Sequence, residues 1–252
     1  MFGWLRRRGA PPALPDALWE RMLRAYPFLV ERAGADVARL RALSARFLRD
    51  KEFHGTEGLA ITDEIALAIA AQAVLPVLHL GLNWYDDFVG IVVHSDQVVA
   101  RRTVTDETGV VHAYDEVLAG ESMEGGPVML NWHDVAHAGA SARAGYNLVV
   151  HEFVHKIDMR DGAADGCPPM RTTEARERWL AVLQPQYARF REQVIVAERF
   201  GGPAPWLDGY GATNIGEFFA VACEAYFVNR ERFTQEFPVL PPLFDGFFSP
   251  RR

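Results

Sequence analysis

Apolar residues recur at helical spacing toward both ends of the chain and alternate as in strands between them. After a Pro-rich opening (Pro11, Pro12 and Pro15), Leu18, Met22 and Leu23 fall at the spacing that lines one helix face. This predicts a helix over 16–26 capped by Asp16. Val37, Leu40, Leu43 and Phe47 repeat the spacing and predict a second helix over 35–49. Residues 51–58 read as a short extended or irregular piece. Thr62, followed by Asp63 and Glu64, is a cap with acidic residues at the positive end of a helix dipole. The apolar run behind it predicts a helix buried on most sides, which Pro76 kinks or ends.

Past Gly81 the period shortens. Residues 88–94, 98–104, 110–117 and 127–132 are β-rich and separated by Asp, Gly and Glu, which predicts a small, mainly antiparallel sheet. Helical spacing returns over 144–161 and stops near Gly162. It resumes from a cap at Thr173 toward Phe200, with a bend expected at Pro185, and closes with a helix over 214–229. The tail is apolar and interrupted by prolines. With no internal repeat or linker, the expectation is one helix-rich α+β domain over 1–252, with 1–15 as a flexible lead-in.

Composition narrows the function classes. Hydrophobic residues make up 49% of the chain and charged ones 23%, as in globular proteins. A net charge of -7 supplies no basic field for nucleic acid, so no direct nucleic-acid partner is expected. The two cysteines, Cys167 and Cys223, lie in unrelated contexts, which argues against a disulfide framework and for a reducing, cytoplasmic setting. No stretch reaches the roughly 20 apolar residues of a membrane-spanning helix. Arg6, Arg7 and Arg8 are not followed by an apolar run of signal length, so no membrane partner or export is expected.

Candidate chemistry centres on His151-Glu152-Phe153-Val154-His155 in the 144–161 helix. Two imidazoles four residues apart leave the same helix face and can share one Zn²⁺, while Glu152 is offset toward a water beside the metal. Catalytic zinc takes three protein ligands, so a third comes from elsewhere. The candidates are His133 and His137 before the helix, Asp158 and Asp161 after it, and Glu217 or Glu224 of the last helix. Glu217 is the best placed, because a carboxylate in so apolar a helix is costly without a partner. Equally, it reads as an ordinary first-turn residue favoured by the dipole. Glu224, two turns on, is a supporting partner or a rival ligand. Asp158 either orients an imidazole, caps the helix end or pairs with Arg160.

The run H-E-F-V-H-K-I-D-M-R-D-G from His151, joined by N-I-G-E-F-F-A-V-A-C-E-A-Y-F from Asn214, resembles the Mlc titration factor A family of bacterial zinc metallopeptidases. That family is in turn similar to the catalytic domain of anthrax lethal factor. The resemblance implies a zincin-like fold, one Zn²⁺ held by His151, His155 and Glu217, and Glu152 as general base. It also implies Tyr210 opposite the zinc and aminopeptidase action on peptide substrates. Strand 128–132 is the candidate to pair with an extended peptide. The family's namesake sequesters the Mlc repressor of glucose-uptake genes, so a regulatory binding protein is the alternative reading. A purely structural zinc site is the third, and Glu152, with no Cys beside the motif, speaks against it.

Overall fold

A computed structural model describes residues 13–96, 98–105, 111–118, 120–122, 125–162 and 164–250. Residues 1–12 of the expected lead-in lie outside it. Helix α1 (Asp16–Ala25) starts directly after Pro15, so Asp16 sits in its first turn rather than capping it. A turn at Tyr26 leads into α2 (Pro27–Ala33), a short helix that the spacing does not announce, with proline at its first position. Helix α3 (Val37–Asp50) lies where the second helix is expected.

The extended piece at 51–58 contains β1 (Glu52–Gly55), and the Thr62 hydroxyl caps α4 (Asp63–Val74). Every residue of α4 from Ile65 to Val74 is buried, and the helix ends before Pro76 rather than kinking there. Then come β2 (Gly90–His94), β3 (Val98–Thr105), β4 (Val111–Leu118), β5 (Gly120–Ser122) and β6 (Val128–Asn131).

The sheet corrects the expected strand pairing. Its order is β1-β2-β6-β5, with β1, β2 and β6 parallel and only β5 antiparallel, while β3 and β4 form a separate antiparallel ribbon. A mainly antiparallel sheet follows from the short turns only if each strand pairs with the next. Here β1 reaches β2 through α4, and β2 reaches β6 through the ribbon and β5, as parallel neighbours require long crossovers. Ile91, Val93, Val128 and Leu130 turn the buried face of the sheet inward.

Helix α5 (Trp132–Ser141), also absent from the sequence pattern, leads to α6 (Leu148–Asp158), all of whose residues are buried. Helix α6 packs against β5 and β6 and also touches α4, α5 and, most extensively, α8 (Ile215–Val228). Between them runs α7 (Thr173–Phe200), capped by Thr172 and containing Pro185. The apolar tail folds into α9 (Arg230–Glu236) and α10 (Leu240–Phe248). Phe233, Phe244 and Phe248 ring Tyr226 of α8 there. No helix among the described residues is long and apolar enough to cross a membrane. Cys167 and Cys223 are buried and free.

One aromatic cluster fixes α6 against the rest. Phe153, fully buried, packs its ring 5.1 Å from Tyr85, 5.6 Å from Phe47 and 5.9 Å from Phe88. Replacing it by alanine removes a ring from a closed aromatic group. Phe153→Ala is expected to cost about 3–5 kcal/mol in a denaturant titration; a loss under about 1 kcal/mol contradicts this anchoring.

Candidate metal centre

Local capping sets the two helices that meet at the site. Asn147 caps α6, its side-chain oxygen accepting from the Val150 N–H at 2.8 Å, and its amide donates to Gln72 Oε1 of α4 at 2.8 Å. Asn214 caps α8 by accepting from the Glu217 N–H at 3.0 Å, which puts Glu217 in the first turn at the open end of the site.

His151 Nε2, His155 Nε2 and Glu217 Oε2 form a triangle with 3.1 Å on every side. Tetrahedral zinc with bonds of about 2.0–2.1 Å spaces its ligand atoms by roughly 3.3 Å, so the triangle fits such an ion, with N/O donors and one position left open. Two imidazole nitrogens and a carboxylate oxygen facing one another need a shared positive charge, either a proton or a metal ion. Among the described residues these three are the one group of three or more His, Cys, Asp or Glu side chains with ligand atoms close enough to share a metal ion.

Glu224 is not at the triangle. It lies behind His151, accepting from Nδ1 at 2.7 Å and from the Asn147 N–H at 2.5 Å. A carboxylate there fixes the tautomer and directs Nε2 to the front. Burial pushes the carboxyl of Glu224 up, against the pull of His151. Burial likewise acts to lower the pKa of His151, but its bonds to Glu217 and Glu224 outweigh it and hold the imidazole well above its usual range. Glu217 resists the raising effect of burial through the same two histidines and is brought down to about 2.

Glu152 leaves the opposite flank of the motif and is 4% exposed. Burial raises its carboxyl, with the two histidines and Ser122 pulling the other way. Its neighbour is the edge strand: Ser122 donates to the Glu152 carbonyl at 2.9 Å. A Cβ at Gly120 would stand 2.5 Å from Glu152 Oε1, so only glycine lets this strand approach the carboxylate. Strand β6, expected to be the peptide-pairing edge, is instead interior, held by β2 on one side and β5 on the other. Tyr210, 45% exposed, sits on a short 3₁₀ turn over 209–212 that packs on α8, and its ring centroid lies 6.1 Å from that of His151.

The remaining candidates go elsewhere. His133 and His137 are exposed on α5, and Asp161 is exposed past the end of α6. Asp158 is fully buried, accepts from the Gly166 N–H at 2.8 Å and leaves Oδ1 without a hydrogen-bond partner. It does not pair with Arg160, which reaches Asp86 and Asp87. Asn147, Gln72, Gly120 and Ser122 carry the site without appearing among the sequence candidates. Only Asn147 bears a readable signal, as a capping residue just before an apolar helix.

The profile of the Glucose-regulated metallo-peptidase M90 family matches residues 2–249. The chain belongs to this family. It is 34% identical over 236 residues to Mlc titration factor A of Salmonella arizonae, covering 92% of this chain and 90% of that protein. It is 33% identical over 252 residues to the Klebsiella pneumoniae protein of that name, covering 99% and 92%. Against the Serratia proteamaculans protein the identity is 32% over 250 residues, covering 99% and 93%. M90 membership makes the chain a metallopeptidase, which implies a metal ion and peptide substrates.

Two measurements check the site's surroundings. Glu224→Gln is expected to weaken metal binding by about 10–100-fold in competition with a chelating dye; unchanged affinity contradicts the role given to Glu224. Burial also pushes the Asp158 carboxyl up to about 8, against an ordinary value near 4. Between those limits the folded chain keeps a proton that the unfolded chain has lost. The stability tied to this group is therefore complete at lower pH and falls as pH rises toward 8. Asp158→Asn cannot ionise, so its melting temperature should gain on the native chain from about pH 5 to about pH 8.5. A difference independent of pH contradicts this.

Proposed function

We propose that this chain is a cytoplasmic zinc-dependent aminopeptidase, zincin-like in fold, with residues 1–252 as one catalytic domain. The observation that carries the reading is the His151–His155–Glu217 triangle with a buried Glu152 beside it. An antiparallel edge strand next to the metal helix, and a second helix bearing the third ligand, support the zincin-like assignment.

Zn²⁺ held by His151, His155 and Glu217 would act as a Lewis acid, making an adjacent water acidic and polarising the scissile carbonyl. Glu152 takes the proton from the attacking water. Its burial suits it to this task, since a raised pKa makes a carboxylate a stronger base. The same carboxyl then delivers the proton to the departing amine. The Tyr210 hydroxyl donates to the oxygen on which negative charge develops. Glu224 and Asn147 keep His151 in one orientation throughout. Strand β5, the terminal strand of the sheet, offers its outer edge to an extended peptide.

A second reading rests on the relatives' shared name, Mlc titration factor A. The chain binds an Mlc-type repressor in addition to cleaving peptides. Co-purification with such a repressor at micromolar concentration supports this, and no association at that concentration refutes it.

For the peptidase reading, Glu152→Gln is expected to lower kcat by about 10²–10⁴-fold on amino-acid amides while zinc content is unchanged. Full activity in that variant overturns the mechanism. Equal hydrolysis of N-terminally blocked and free peptides overturns the aminopeptidase assignment alone.

A further inference from the structure

Helix α5 repeats, on the surface, the spacing that builds the metal centre. His133 and His137 are four residues apart, and both are exposed. Their ring centroids stand 4.4 Å apart, against 4.7 Å for His151 and His155.

The hydrogen bonds behind the rings matter more than the spacing. His137 Nδ1 lies 2.7 Å from the His133 carbonyl oxygen. A carbonyl only accepts, so Nδ1 carries the proton and the neutral ring keeps its lone pair on Nε2. His133 Nδ1 lies 3.2 Å from Asp134 Oδ1, and a carboxylate imposes the same tautomer. Asp134 is itself held in place, its Oδ2 accepting from Asn131 Nδ2 at 2.8 Å and from the Tyr146 hydroxyl at 3.2 Å. Metal-binding histidines characteristically donate their other ring nitrogen to a carbonyl or carboxylate, and both arrangements are already made here.

The geometry points to a second, weaker site for a borderline transition-metal cation, Zn²⁺, Ni²⁺ or Cu²⁺, at His133 Nε2 and His137 Nε2. Imidazole donors select this class over Mg²⁺ and Ca²⁺, which take oxygen ligands. Two exposed protein donors instead of three make it weaker than the buried centre. Water completes the coordination, since the pair is exposed.

The test is equilibrium dialysis of the full chain, preloaded with one equivalent of Zn²⁺, against Ni²⁺ and separately against Zn²⁺. A second equivalent is expected to bind. It should disappear in the double variant His133→Ala and His137→Ala, whose fold circular dichroism checks, while the first equivalent remains. Asp134→Asn weakens the second equivalent by about 10–100-fold and leaves the first unchanged. No second equivalent in the native chain, or one that persists in the double variant, overturns the site. Competition by equimolar Mg²⁺ overturns its assignment to imidazole.

Discussion

Glu224 stands in the middle of an apolar helix with 1% of its surface exposed, and the candidate metal centre is arranged around satisfying it. An isolated buried carboxylate costs several kcal/mol, so its two oxygens must find partners of opposite polarity. One takes the backbone N–H of Asn147 and the other His151 Nδ1. Those two bonds set the register of α6 against α8. They also turn His151 so that its remaining nitrogen faces His155 and Glu217. His151, the proposed metal ligand, is thus oriented by a group whose own burial would be unfavourable without it.

Helix α6 separates its two tasks by flank. One flank presents the imidazoles to α8, and the other places Glu152 against the three-residue strand β5. Contact there is close enough that a side chain at Gly120 would collide with the carboxylate. The proposed base and the proposed peptide-binding edge therefore share one surface. Phe153, between the two histidines in sequence, points into the aromatic cluster with Phe47, Tyr85 and Phe88 and keeps the helix from rotating.

The parts legible in the sequence are those with a local signal. Helices α4 and α8 each pair a capping residue with a long apolar period, whereas the helix expected over 144–161 starts only at Leu148, where Asn147 caps it. Glu217 was legible because a charge in such a helix needs a reason. The sheet was not legible, since strand order depends on crossovers such as the one through α4, and no local pattern records them. Strand β5 is three residues long and lies among turn-forming residues, so neither Gly120 nor Ser122 announced itself. Helices α9 and α10 read as a broken tail because their prolines fall at or near helix ends, where they are tolerated. Deciding whether Glu224 supports an imidazole or rivals Glu217 required the fold, because both lie on the same face of one helix.

The most direct test of the central claim is X-ray absorption at the zinc edge on protein loaded with one equivalent of Zn²⁺. The account predicts nitrogen and oxygen scatterers alone, at about 2.0–2.1 Å, with the outer-shell signature of two imidazoles. A sulfur shell near 2.3 Å, or a signature of fewer than two imidazoles, would contradict it.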